Sequence, residues 1–218
     1  MNRLISIGNH YNAKKPFENL FKDLVTVHSS DDLVNIKFRP SDVILFGGGA
    51  DISPSLYKQK PSRYSGSGAI LSSRDSLEKA AFKMAVDSKS SMLGICRGAQ
   101  LVCALSGGSL YQHVNNHAGR DHDMTTNEGT VINVCSVHHQ MMNPMGTKHE
   151  LIAWATEKLS NVYLIENEVD AKAEVEPEVV FFNDYKALAI QYHPEFMVDS
   201  CEAVIYSREL VKQYLLEI

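Results

Sequence analysis

Three side chains of this chain have types and surroundings suited to covalent acyl transfer: Cys96, His193 and Glu195. A strand-like run, Ser91-Met92-Leu93-Gly94-Ile95, stops at Cys96, and Arg97-Gly98-Ala99-Gln100 then leads into an apolar helical stretch. This G-x-C-x-G pattern is the cysteine form of a nucleophile elbow, a tight strand-to-helix turn that lifts a reactive side chain clear of a sheet. Glycines on both sides suit such a turn because backbone must pass close by without a Cβ between. The exposed N–H groups at the start of the helix stabilise negative charge on the sulfur. Farther on, Gln191-Tyr192-His193-Pro194-Glu195 follows another apolar strand and supplies an imidazole with a carboxylate two residues later. If the strand persists that far, the two side chains share one side of it. The imidazole can take the thiol proton and later protonate a leaving amine, while the carboxylate orients the other ring nitrogen.

Gly47-Gly48-Gly49 follows the strand read over residues 43–46. Neither the Walker pattern nor the dinucleotide fingerprint G-x-G-x-x-G is present, so a phosphate cradle is not supported, and the run reads either as a flexible turn or as an oxyanion hole. One donor of such a hole is worth about 3 kcal/mol of transition-state stabilisation. The N–H of Arg97, directly after the thiol, would be the second donor. Among the histidines, His113 and His117 stand four apart, but Val114-Asn115-Asn116 and Gly119 make a poor helix. No metal is therefore expected, and His138-His139 are assigned to a pocket wall or a strand cap. Cys103 lies two turns beyond Cys96 among apolar neighbours and is expected in the core.

These residues need elements to hold them. Short apolar runs at residues 4–7, 24–27, 43–46, 92–95 and 188–191 read as buried strands, with further strands at 131–134 and 179–182. Residues 17–21, 76–86, 97–105 and 201–216 read as helices or parts of them. Ser72 and Asp75 are spaced as a capping box for the second of these, and Arg74 and Glu78 as an i,i+4 ion pair. Alternating strands and helices imply a mainly parallel sheet covered on both faces. The acidic segment 166–178 reads as a surface loop or hairpin, and 54–68 as an exposed loop. The 218 residues are read as a single domain, with no internal boundary. A net charge of −5 argues against nucleic acid as a partner. No apolar run reaches membrane-spanning length, and four scattered cysteines fit a reducing, cytoplasmic setting.

Taken together, Gly94-Ile95-Cys96-Arg97-Gly98-Ala99-Gln100 and His193-Pro194-Glu195 resemble the triad of class I glutamine amidotransferases. The blocks running from Gly47 to Tyr57, Arg74-Asp75, Gly107 to Gln112, and Ser136-Val137-His138-His139-Gln140 resemble the γ-glutamyl hydrolase branch, peptidase family C26. The pattern is most similar to that of γ-glutamyl-γ-aminobutyrate hydrolases. The resemblance implies a flavodoxin-like three-layer α/β sandwich and cleavage of a γ-glutamyl amide through a glutamyl thioester. It implies Cys96 as nucleophile, His193 as base and Glu195 as its orienting partner, with oxyanion N–H groups from Gly48 and Arg97. It further implies substrate contacts from Gly49, Gln100, His138, His139 and Gln140, and no cofactor. The segment 123–136 departs from the branch by being shorter than the excursion usual there, which bears on the leaving-group side. The substrate is then a small γ-glutamyl amide or glutamine. The alternatives are a glutaminase subunit passing ammonia to a separate synthetase, and a catalytically idle binding module on the same fold.

Overall fold

The computed structural model of the chain describes residues 2–8, 14–30, 32–169 and 173–216. The strands are β1 (Arg3–Ile7), β2 (Thr26–Ser30), β3 (Val43–Phe46), β4 (Ser91–Ile95), β5 (Ser109–Tyr111), β6 (His113–Val114) and β7 (His122–Thr126), then β8 (Val131–Val134), β9 (Met141–Asn143), β10 (His149–Ala155), β11 (Tyr163–Ile165), β12 (Glu168–Val169), β13 (Pro177–Phe182) and β14 (Ala187–Ile190). The α-helices are α1 (Lys14–Phe21), α2 (Ser73–Ser88), α3 (Arg97–Leu105) and α4 (Glu202–Val211). Among the described residues, nine strands form one sheet in the order β2-β1-β3-β4-β14-β13-β10-β7-β8. The pairings from β2 through β14 are parallel. The sheet is then continued by antiparallel pairings through β13, β10, β7 and β8.

Alternation along the parallel strands builds the three layers. Leu4, Val43, Leu45, Leu93, Ile95 and Ile190 face one core, shared with Phe17 and Phe21 of α1 and Val204 and Leu210 of α4. Ile5, Ile44, Phe46, Met92 and Ala189 face the other, shared with Ala81 and Phe82 of α2 and Leu101 and Val102 of α3. Every one of these strands is buried on both sides, which is why they read as continuous apolar runs rather than alternating ones. The expected α/β sandwich is thus the fold observed.

Local signals at α2 are realised as well. Ser72 caps the helix by accepting from the Asp75 N–H at 3.0 Å, and the Asp75 carboxylate accepts from the Ser72 N–H at 3.2 Å. Three differences from the sequence-based expectations matter. The last helix is α-helical only to Val211 and then widens into a π turn over Lys212–Leu216, which brings Leu215 into the core and Tyr214 Oη to Glu150. The acidic segment 166–178 does start as the turn of the β11–β12 hairpin, but it ends in the interior: Glu176 and Glu178 are buried, because histidines and backbone N–H groups wait for them there. Residues 170–172 of that segment lie outside the described residues. Finally, β14 stops at Ile190, and residues 194–196 form a 3-10 turn, so His193 and Glu195 do not alternate on a strand end. Pro194, with its fixed φ and missing N–H, opens that turn.

Candidate active site

The parallel neighbours β3, β4 and β14 all end at the same edge of the sheet, and each delivers one part of the site from its C-terminal end. After β4 comes Cys96, with φ 51° and ψ −108°, a conformation that L-residues rarely adopt and that costs roughly 1–3 kcal/mol. Its N–H is held by the Ile190 carbonyl at 2.8 Å, and its own carbonyl accepts the Gln100 N–H at 3.1 Å. The two flanking glycines are required by close approach. A Cβ on Gly94 would lie 2.4 Å from the Gly98 carbonyl oxygen, and one on Gly98 would lie 1.9 Å from that of Phe46. The glycine spacing read in the sequence is therefore the imprint of strand, elbow and helix backbones stacked in contact.

After β14 comes His193, whose Nδ1 is 2.8 Å from Glu195 Oε1 across the 3-10 turn. The ring also stacks on Phe196, with centroids 4.9 Å apart. Burial alone would lower the imidazole pKa; hydrogen bonding to Cys96 and to Glu195 outweighs it and pushes His193 up to about 10. The three side chains singled out in the sequence thus lie together: the elbow thiol, an imidazole hydrogen-bonded with it, and a carboxylate 2.8 Å from that imidazole.

After β3 comes the glycine run. Gly48 packs against the His193 ring, and Gly49 has φ 142°, a region that favours glycine. The N–H of Arg97 is the first of α3, where such groups have no intrahelical acceptor. What fixes the glycine run is a buried network that sequence reasoning missed. Arg74 donates to the Gly47 and Gly48 carbonyls at 2.9 and 3.0 Å, and to Glu78 Oε1 at 2.9 Å. Arg97 donates to the Ala50 carbonyl at 2.9 Å, to Asp75 Oδ1 at 2.6 Å, and to the second oxygen of Glu78. Two guanidinium groups and two carboxylates thereby clamp the loop, Arg74, Asp75 and Glu78 from the first turns of α2 and Arg97 from the start of α3. The only sequence signal was the local one, a cap and an i,i+4 pair; the arginine 19 positions beyond Glu78 carried none.

The residues assigned to substrate contact divide. Gly49 is exposed on one side of the loop, and His139 is partly so, with Nε2 3.0 Å from Asp51 Oδ1, which raises its pKa. Gln100, His138 and Gln140 are buried. Gln100 Nε2 donates to the Gln140 carbonyl at 2.9 Å, and His138 Nδ1 faces the same carbonyl at 2.8 Å. His113 lies in a short strand rather than a helix, and its ring stacks on Tyr64. His117 is buried apart from it, beside His122, His138, Glu176 and Glu178. Cys103 is fully buried, and burial pushes its thiol up to about 12.

Comparison with known proteins agrees with this frame. A glutamine amidotransferase of Thermotoga maritima superposes with a TM-score of 0.62 at 14% identity, covering 97% of this chain and 84% of that one. A GMP synthase subunit candidate from Thermoplasma acidophilum gives 0.61 at 14% identity, covering 99% and 92%. The fold is therefore that of the class I glutamine amidotransferase-like proteins. In sequence, the glutamine amidotransferase-like protein YvdE of Lactococcus lactis subsp. lactis is 28% identical over 208 residues, spanning 84% of this chain and 80% of its own length. Residues 25–195 match the Peptidase C26 family, and the chain belongs to it. No helix among the described residues is long and apolar enough to cross a membrane.

Proposed function

We propose that the chain is a cysteine hydrolase of γ-glutamyl amide bonds, with Cys96 as nucleophile, His193 as general base and acid, and Glu195 as the group that orients His193. The observation that carries this reading is the 2.8 Å contact of His193 Nδ1 with Glu195, which leaves the other ring nitrogen, Nε2, for the elbow thiol. His193 takes the Cys96 proton, and the sulfur adds to the γ-carbonyl carbon. The resulting oxyanion is met by the N–H groups of Gly48 and Arg97. Collapse breaks the C–N bond, and the amine leaves with the proton from His193. Water, deprotonated by the same imidazole, then adds to the thioester, and glutamate and the free thiol are regenerated. The sum is one amide and one water giving one glutamate and one amine.

The ammonia-donating reading shares all of these steps and differs only in the leaving group and its destination. It is favoured by one observation, the fold likeness to a GMP synthase subunit candidate, which spans nearly the whole of both chains. A turnover screen of the purified chain over glutamine, γ-glutamyl amines, γ-glutamyl peptides and polyglutamates tests both. Cleavage of compact γ-glutamyl amines in preference to glutamine is the expected result. Preference for glutamine by about tenfold or more would favour the ammonia donor, and turnover that survives Cys96→Ser would overturn both.

A further inference from the structure

Around the His138–Gln140 segment, three histidines (His117, His122 and His138) and two carboxylates (Glu176 and Glu178) are packed together, none of them a member of the Cys96–His193–Glu195 set. Three of the five converge on one point. His117 comes from the turn after β6, His138 from the connection between β8 and β9, and Glu178 from β13; all three are buried. Their ligand-type atoms lie within 4.8 Å of one another.

Neighbouring groups fix which ring nitrogens carry protons. Glu176 accepts from the N–H groups of Leu159 and Ser160 at 2.9 and 2.8 Å and from Tyr163 Oη at 2.7 Å. A carboxylate so fully engaged as an acceptor requires His117 Nε2, 3.1 Å away, to be a donor as well. The lone pair of His117 is then on Nδ1. His138 Nδ1 sits 2.8 Å from the Gln140 carbonyl, which can only accept, so the His138 lone pair is on Nε2. Both of these nitrogens lie near Glu178, His117 Nδ1 at 3.9 Å and His138 Nε2 at 3.8 Å from Oε1. Among the described residues, neither nitrogen has a hydrogen-bond partner, nor does Glu178 Oε2. Three electron-pair donors thus converge at separations too long for hydrogen bonds between them. Among the described residues, Glu176 and Glu178 form ion pairs with histidines alone, so two buried carboxylates meet no lysine or arginine.

We propose that His117 Nδ1, His138 Nε2 and the Glu178 carboxylate bind a divalent transition-metal ion of the zinc class. Two imidazoles and one carboxylate suit zinc, whereas magnesium and calcium take oxygen ligands. Metal–ligand bonds of about 2.1 Å put the ligand atoms roughly 3.4–3.6 Å apart, so the histidine nitrogens, at 3.9 and 3.8 Å from Glu178 Oε1 and within 4.8 Å of each other, must draw in by roughly 0.2–0.5 Å toward the carboxylate and by at most roughly 1.4 Å toward each other. Each ligand already has the outer partner that metal ligands need: Glu176 behind His117, the Gln140 carbonyl behind His138, and His122, whose Nε2 is 3.0 Å from Glu178 Oε1. The ion fastens the turn after β6 and the His138–Gln140 segment to β13. Because the Gln140 carbonyl also accepts from Gln100 on α3, it braces the wall that carries His139. Sequence spacing spoke only against a helical His113–His117 pair. The set proposed here is drawn from three separate segments, which spacing does not reveal.

The test uses the full chain with Cys96→Ala, which removes the elbow thiol as a competing ligand, stripped with chelator and titrated with Co2+ and then Zn2+. About one equivalent of Co2+ should bind with the visible absorption of a four- or five-coordinate nitrogen–oxygen site. It should be displaced by about one equivalent of Zn2+, with a rise in melting temperature. Glu178→Gln and His117→Gln in the same background should each weaken Zn2+ binding by about tenfold or more. If either variant fails to fold, the stoichiometry on the folded Cys96→Ala chain decides. Binding well below one equivalent there, or a folded Glu178→Gln chain that keeps the parent affinity, would overturn the proposal.

Discussion

Gly48→Ala adds one methyl group at the point where the glycine run touches the imidazole. Its Cβ would stand 2.8 Å from His193 Cε1 and 3.7 Å from each ring nitrogen. Comfortable carbon–carbon contact begins near about 3.5 Å, so ring and loop must separate by roughly 0.7 Å. Neither side gives way easily. The ring is tied to Glu195 at 2.8 Å and stacked on Phe196, while the loop is tied to Arg74 through the Gly47 and Gly48 carbonyls. Gly48 does not have a positive φ, so the backbone accepts alanine and the effect is steric alone. A misplacement of about 1 Å in a reacting group costs on the order of 100-fold in rate, and slightly less is displaced here. The expectation is a kcat lower by about 10- to 100-fold, or about 1.4–2.7 kcal/mol of transition-state stabilisation, with KM changed far less. Steady-state kinetics on a chromogenic γ-glutamyl anilide, with thermal melts to establish folding, measure it. A folded Gly48→Ala protein with kcat within about twofold of wild type would mean that His193 is not the base, or that its ring is free to move.

The remaining predictions concern the same groups. Cys96→Ser should lower turnover by about three orders of magnitude or more with the melting temperature preserved, and persistent turnover would remove Cys96 from the mechanism. His193→Ala should cost more than Glu195→Gln, because the carboxylate orients and does not transfer the proton; the opposite order in kcat would show the roles to be reversed. Since folding raises the His193 pKa from 6.5 to about 10, its contribution to stability is fully present below pH 6.5 and is lost as pH rises through 10. Melts across that interval should therefore show wild type converging on His193→Gln, and a constant gap would refute the pairing. Arg74→Met removes both bonds to the glycine-run carbonyls and should destabilise the protein by about 3 kcal/mol while lowering kcat more than it raises KM; thermal melts and steady-state kinetics on the same variant measure the two effects.

Reading the sequence recovered what backbone geometry writes locally and missed what distant side chains do to one another. Strands 43–46 and 131–134 coincide with β3 and β8, since apolar runs bounded by turn residues leave little freedom. The elbow was legible for a stronger reason. At Gly94 and Gly98 any side chain would collide with backbone, so two glycines at fixed spacing record a close approach rather than a preference. Asp75 and Glu78 show the limit. Within their own helix they are a cap and an i,i+4 ion pair, and both descriptions hold. Only the fold shows that their other oxygens reach Arg97 and that the pair supports the glycine run beside the elbow.

Glu176 and Glu178 mark the same limit more sharply, because composition pointed the wrong way for them. Carboxylates are seldom fully buried unless paired, so an acidic stretch is rightly read as surface until its partners are known. The partners here are 56 and 59 residues upstream, in segments with no helical or strand period linking them to β13. A carboxylate buried this way implies that the chain commits interior volume to polar contacts where apolar packing would be simpler. In the elbow half of the molecule that commitment has an evident use, since the arginine–carboxylate network holds the glycine run against the imidazole. The histidine–carboxylate cluster is buried as well and has outer partners of its own, but His117 Nδ1, His138 Nε2 and Glu178 Oε2 meet no donor among the described residues. That asymmetry between the two buried networks is the physical reason for seeking a cation in the second and none at the triad.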